Sequence, residues 1–63
     1  MKVVTSVVLV QAQANNSLRV ENRMEYWQNA HSKAEAEGFA VRSAIENNNG
    51  FQVHTVSSMI TEE

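Results

Sequence analysis

Apolar and polar residues alternate along this chain in a way that predicts three strands and one helix. The stretch KVVTSVVLV, residues 2–10, is apolar on both of its alternating sides. One side carries Val3, Thr5, Val7 and Leu9, and the other carries Val4, Ser6, Val8 and Val10. Strands with two apolar sides are typical of the middle of a sheet. We therefore predict that this stretch is the central strand.

A second strand is predicted at LRVENRMEYW, residues 18–27, where apolar and charged residues alternate regularly. A two-residue turn at Asn15-Asn16 would place Leu9 opposite Asn22 and Val4 opposite Trp27. The inward-facing side is then Leu18, Val20, Met24 and Tyr26, and the outward-facing side is Arg19, Glu21, Arg23 and Glu25.

A helix is predicted from Lys33 to Asn48, because Ser32 and Glu35 form the pattern of a capping box. Its apolar stripe is predicted to consist of Ala34, Gly38, Val41 and Ile45, widened by Ala40 and Ala44. Gly38 would allow the helix to approach the sheet closely, and the stretch Asn47–Gly50 would end the helix.

The last strand is predicted at FQVHTVSSMI, residues 51–60. Simple alternation puts Phe51, Val53 and Thr55 on one side and Gln52, His54, Val56, Ser58 and Ile60 on the other. The order β-β-α-β predicts an α+β fold, with a three-stranded antiparallel sheet and one helix packed on one face. Residues 1–63 form a single small domain.

One face of this sheet has no predicted cover, because the helix lies over the side of Val3, Val7 and Leu9. Apolar patches of this kind often mark contact surfaces, and interfaces combine an apolar centre with a charged rim. We therefore predict that partners bind at Val4, Val8, Val10, Trp27 and Val56, with Arg19 and Arg23 as rim charges. In the alternative interpretation, the valines are only strand formers, screened by long Arg and Glu stems.

Chain length and composition favour an oligomer. A chain of 63 residues has a thin margin of stability, and without cysteine it cannot use disulfides. A symmetric dimer, sheet against sheet, is the simplest way to cover the second face. We expect a non-catalytic protein-binding module that acts as a homodimer.

Candidate chemistry is sparse. His31 and His54 lack the spacing of a metal motif, and Ser32 is accounted for as a helix cap. We expect no enzyme activity, no cofactor and no metal site, and zinc binding at the histidines is a weaker alternative. The main alternative function is a single-stranded nucleic-acid binder that uses Arg19, Arg23 and Trp27. Against it, glutamates alternate with the arginines and the formal net charge is −2.

The N-terminal stretch also has some features of a secretion signal, including Ala12-Gln13-Ala14. Its apolar run is short, β-branched and interrupted by Thr5 and Ser6, which favours a strand. No stretch approaches the length of a membrane span. We expect a cytoplasmic protein that contacts neither membrane nor small-molecule substrate.

The stretch SKAEAEGFAVRSAIENNNGFQVHTVSS, residues 32–58, resembles a loose pattern in small proteins of bacteriophages and mobile elements. In that pattern a Ser-x-x-Glu-Ala start leads an Ala-rich helix, a break and a strand. The β-β-α-β order is also similar to a phage antitoxin that inhibits host RNA-cleaving toxins and to phage inhibitors of CRISPR systems. The resemblance implies an inhibitor or accessory factor that blocks a host protein.

Overall fold

The computed structural model describes residues 1–11 and 20–63 of the chain. Its elements are β1 (Lys2–Gln11), β2 (Glu21–Asn29), α1 (Lys33–Asn47) and β3 (Phe51–Glu62). The three strands form an antiparallel sheet in the order β2-β1-β3. The predicted α+β fold of order β-β-α-β, with β1 at the centre, is thereby confirmed. The predicted turn at Asn15-Asn16 lies outside the described residues.

Strand β2 pairs with β1 in the predicted register. Leu9 lies opposite Asn22 and Val4 lies opposite Trp27. The ladder continues beyond the ends of both strands, because the Gln11 N–H donates to the Val20 carbonyl at 2.9 Å and the Ala30 N–H donates to the Met1 carbonyl at 3.0 Å. The register predicted from a turn at Asn15-Asn16 is therefore the register of the two strands.

The core lies between α1 and one side of the sheet. Val3, Thr5, Val7 and Leu9 of β1 are all 0% exposed, as are Ala36, Ala40 and Ala44 of α1. Two clusters result, one where Val7 and Leu9 meet Ala40 and Ala44, and one where Val3 meets Ala30 and Ala36. The hydroxyl of buried Thr5 is hydrogen-bonded to the Ser58 hydroxyl at 3.0 Å, so its burial leaves no polar group unsatisfied.

The helix buries only the margin of the stripe predicted for it. Ala40 and Ala44, which were predicted to widen the stripe, are buried together with Ala36. Ala34 and Gly38 are exposed, Ile45 is 48% exposed, and a Cβ at Gly38 would meet no atom within 4 Å. The buried alanine row is centred roughly 130° around the helix from the centre of the predicted stripe. The sheet already supplies the bulky side chains of this layer, among them Met24, Tyr26 and Phe51, and only short side chains fit beneath the helix.

The helix is shorter than the sheet that it covers. Its 15 residues span about 22 Å, whereas the ten residues of β1 span about 33 Å. Val20, predicted to face inward, is therefore exposed, because it lies opposite Gln11 beyond the C-terminal end of α1. The helix thus covers β1 from Val3 to Leu9 and leaves Gln11 and Val20 exposed.

Strand β3 departs from simple alternation. Its register against β1 shifts between Val8 and Leu9, which pair with Thr55 and Val53, so that His54 is an extra residue. After this bulge, the residues that simple alternation places on one face of the sheet lie on the other face. Val56 therefore packs into the core beside Val7 and Leu9. The predicted place of Val56 on the uncovered face is wrong for this reason. A second shift, between Lys2 and Val3, makes Thr61 the other extra residue.

Both ends of α1 are fixed by side chains. The Glu35 N–H donates to Oγ of Ser32 at 3.1 Å, as the capping box predicts. The Glu35 carboxylate accepts the N–H of His31 at 3.3 Å, one residue before the cap. At the other end Nδ2 of Asn48 donates to the Ala44 carbonyl at 2.8 Å, and its Oδ1 accepts from Asn22 of β2 at 2.8 Å.

Substitution of the central alanine tests the tight layer under the helix. We expect Ala40→Leu to lower the free energy of unfolding by about 1–3 kcal/mol, because the larger side chain must displace the sheet residues below it. Ala34→Leu adds the same atoms on the exposed side of α1, and we expect a change within about 0.5 kcal/mol. Urea unfolding followed by circular dichroism measures both, and equal losses for the two variants would contradict this packing.

Candidate functional site: the open face

The side of the sheet away from α1 is here called the open face, because no described element lies over it. The two registers determine which side chains it carries. These are Lys2, Val4, Ser6, Val8 and Val10 of β1, Glu21, Arg23, Glu25, Trp27 and Asn29 of β2, and Gln52, Thr55, Ser57, Met59 and Glu62 of β3. It is the surface on which the predicted partner contacts would lie.

An apolar row crosses the open face near the start of β1. Val4 lies directly between Trp27 on β2 and Met59 on β3. Val4 is only 9% exposed, whereas Trp27 is 67% exposed and Met59 is 62% exposed. The two large edge side chains therefore shield the central valine, and they present their own apolar surface to the solvent.

The rows that follow are more polar. Ser6 lies between Glu25 and Ser57, and the next row has Val8 between Arg23 and Thr55. Val8 and Val10 are half-buried by their neighbours in the sheet. On the other side of the apolar row, Lys2 lies between Asn29 and Glu62 and forms an ion pair with Glu62 at 3.6 Å. The open face consequently has one apolar row, with polar and mixed rows on both sides of it.

The structure brings together five of the seven predicted partner contacts. Val4, Val8, Val10, Arg23 and Trp27 share the open face, whereas Val56 lies on the helix side. Arg19 lies outside the described residues. Met59 belongs to the open face and was not predicted, because its placement depends on the bulge at His54. The sequence gives no strong signal for that bulge, since it contains neither glycine nor proline at this point.

The charges on β2 alternate in sign along the open face. Arg23 lies between Glu21 and Glu25 in the strand and forms no ion pair within 4.0 Å with a carboxylate of the described residues. Glu25 instead accepts a hydrogen bond from the indole N–H of Trp27 at 3.2 Å. Opposite charges at this spacing cancel at a distance, so the open face lacks the positive field that attracts nucleic acids.

Other features of the described chain offer little for chemistry. A shallow depression of about 200 Å³, lined by Lys2, Val3, Trp27, Gln28 and Asn29, is smaller than typical small-molecule sites. Within residues 1–11 and 20–63, no three His, Cys, Asp or Glu side chains come together as a metal site would need. The Ser32 hydroxyl is used at the helix cap. The helix of this structure lacks the length and apolar character that crossing a membrane would need.

Neither a protein-family model, nor a curated protein, nor a solved structure matches this chain. The function of the chain is therefore inferred from the geometry of the open face.

The chain contains one tryptophan, so its fluorescence reports on the apolar row. Because Trp27 is 67% exposed in the single molecule, we expect emission typical of a hydrated indole and strong quenching by acrylamide at low protein concentration. If the open face is covered on association, emission should shift to shorter wavelength and quenching should weaken as the concentration rises. Emission of a buried indole at the lowest concentration would contradict the exposed position.

Proposed function

We propose that this chain is a non-catalytic protein-binding module that acts as a homodimer and uses the open face as its contact surface. The occupant that we propose is a second copy of the chain, packed sheet against sheet. The observation that carries the proposal is the row formed by Trp27, Val4 and Met59, in which the two outer side chains are mostly exposed.

The composition of this row supports a protein partner. Tryptophan and methionine are enriched in protein interfaces, and the residues that dominate binding energy are often aromatic. Full burial of a methionine side chain is worth about 1.5–3 kcal/mol, and a symmetric interface counts each side chain twice. The charged residues Glu21, Arg23 and Glu25 then form a polar border along β2.

The biological role that we propose is that of a phage-type inhibitor or accessory factor that acts on a host protein. Its support is the resemblance in element order and in the stretch from Ser32 to Ser58. This role is compatible with a non-catalytic module, because an inhibitor can block a host protein by covering one of its surfaces, without any chemistry of its own.

We regard single-stranded nucleic-acid binding as the less favoured function. An exposed tryptophan beside an arginine is a feature of such binders. On this face, however, the nearest neighbours of Arg23 and Trp27 along the strand include two glutamates, and one of them already accepts the indole hydrogen bond.

A charge placed on the open face tests the proposal. We expect Met59→Glu to raise the dissociation constant of the face-to-face pair at least tenfold, equal to ~1.4 kcal/mol, because each copy would bury an unpaired carboxylate. We expect Val8→Glu to have the same direction of effect. Sedimentation equilibrium measures the dissociation constant, and the helical circular dichroism signal shows whether each variant stays folded.

Ile45→Glu is the matched control, because it makes the same kind of change at a residue of α1 that is 48% exposed. We expect it to associate as the unmodified chain does. The proposal is wrong if Met59→Glu and Val8→Glu also associate like the unmodified chain. A labelled oligonucleotide that binds at low salt and is released by added salt would favour the nucleic-acid alternative instead.

A further inference from the structure

The outer edge of β2 forms no strand pairing within residues 1–11 and 20–63. Among these residues β2 pairs with β1, and the order β2-β1-β3 leaves the other side of β2 at the edge of the sheet. The hydrogen bonds that join Met1 to Ala30 and Gln11 to Val20 lie at the two ends of one continuous register. In an antiparallel ladder, hydrogen-bonded pairs alternate with pairs that are not bonded to each other.

This alternation determines which backbone groups of β2 point outward. Even-numbered residues, such as Met24 and Tyr26, direct their N–H and C=O groups toward β1. Odd-numbered residues therefore direct theirs away from the sheet, and these are Glu21, Arg23, Glu25, Trp27 and Asn29. The side chains of the same residues lie on the open face, so the edge joins the candidate site directly.

The two edges of the sheet differ in regularity. Strand β3 carries both register shifts, and bulges of this kind disturb an edge and discourage another strand from pairing with it. The pairing of β2 with β1 shows no shift from Glu21 to Asn29. Neither edge strand contains proline or lysine, which commonly block edge pairing, so the bulges are what distinguish the two edges. The regular strand β2 is thus the better edge for strand addition.

We infer that the β2 edge pairs with the β2 edge of a second copy, antiparallel about a two-fold axis at Met24, to form a six-stranded sheet. In this register Arg23 lies opposite Glu25 of the second copy, and Glu25 lies opposite its Arg23. On either side of these two pairs, Glu21 of one copy lies opposite Trp27 of the other. All four pairs are of the hydrogen-bonded type, because their backbone groups point outward.

Charge complementarity favours this register over the two adjacent ones. An axis at Arg23 would place that arginine opposite its own copy and Glu21 opposite Glu25, and an axis at Glu25 would place two glutamates opposite each other. Like charges directly opposite in a ladder are destabilising, and opposite charges are stabilising. An axis at Asn22 would also place Arg23 opposite a glutamate, Glu21, but it would pair only residues 20–24 of the described strand. Arg23 has no ion-pair partner among the described residues of its own chain, so it is available for the second copy.

The paired sheet would also enlarge the open face. Three strands of about 30 Å length and about 4.8 Å spacing offer roughly 430 Å², about half of the 800 Å² that each side of a standard interface buries. Antiparallel pairing keeps every side chain on its own face, so both helices lie on one side and the two open faces become continuous. In this respect the inference rests on the proposed function, although the pairing itself does not need it.

Charge reversal tests the pairing in the Met59→Glu chain, in which face-to-face association is blocked. We expect this chain to be a dimer of twice the 7.1 kDa mass. Adding Arg23→Glu should raise the dissociation constant of that dimer at least tenfold at low ionic strength, because two attractive pairs become repulsive. The exchange Arg23→Glu with Glu25→Arg restores opposite charges and should return the constant to within about threefold. Arg42→Glu on α1 makes the same charge change away from the edge and should have no effect.

Amide hydrogen exchange provides a test at the level of single residues. In the dimer, the N–H groups of Arg23 and Glu25 should exchange slowly, and in the dissociated chain they should exchange rapidly. Those of Met24 and Tyr26 should be protected in both, since they bond to β1.

The inference is overturned if Arg23→Glu acts no differently from Arg42→Glu, if the exchanged pair fails to restore association, or if the Arg23 and Glu25 amides stay unprotected in the dimer. Failure of the proposed function has a different signature. If both contacts form, the unmodified chain is a tetramer and the Met59→Glu chain is a dimer. If the proposed function fails, the two chains form assemblies of the same mass, whatever the edge variants do.

Discussion

Strand β1 is paired on both of its edges, and this double pairing sets the layout of the fold. It is hydrogen-bonded to β2 along one edge and to β3 along the other, and Val3, Thr5, Val7 and Leu9 are fully buried beneath the helix. The helix of the described residues covers only one side of this sheet. The other side is then left to the solvent, with whatever apolar groups the central strand carries there. The open face is therefore a direct result of placing a two-sided apolar strand in a small fold.

In the layer between sheet and helix, the sheet contributes the large side chains and the helix contributes small ones. Leucine, methionine and aromatic side chains stand on the sheet, and the helix contributes a row of methyl groups. Alanine side chains are small and alike, so their packing does little to fix the rotation of the helix about its axis. Polar contacts at its flank supply that selection, since Gln28 of β2 donates to the Ala36 carbonyl at 3.0 Å and Asn48 approaches the Met24 sulfur at 3.0 Å. The rotation of α1 is thus determined by polar side chains, which the pattern of apolar residues along the helix does not include.

Much of this fold follows from local patterns in the sequence. The central position of β1, its register with β2 and the start of the helix were predictable, because alternation and capping are properties of a few adjacent residues. The face of α1 was not, because several of its stripes are weakly apolar and tertiary packing chose among them. Val56 and Met59 were misplaced or missed for one reason, the extra residue at His54. Five of the seven predicted contacts nevertheless share a face, since all five lie on the well-predicted strands β1 and β2, in one register.

The bulges of β3 also bear on how the length of this chain could vary. This strand uses twelve residues to pair with the ten of β1. Removal of His54 or Thr61 would remove one bulge and keep all the remaining side chains on their present sides. Loss of one residue at either of these two positions is therefore compatible with the present core. An alignment without gaps to a chain that lacks His54 would equate core positions with solvent positions from Thr55 onward.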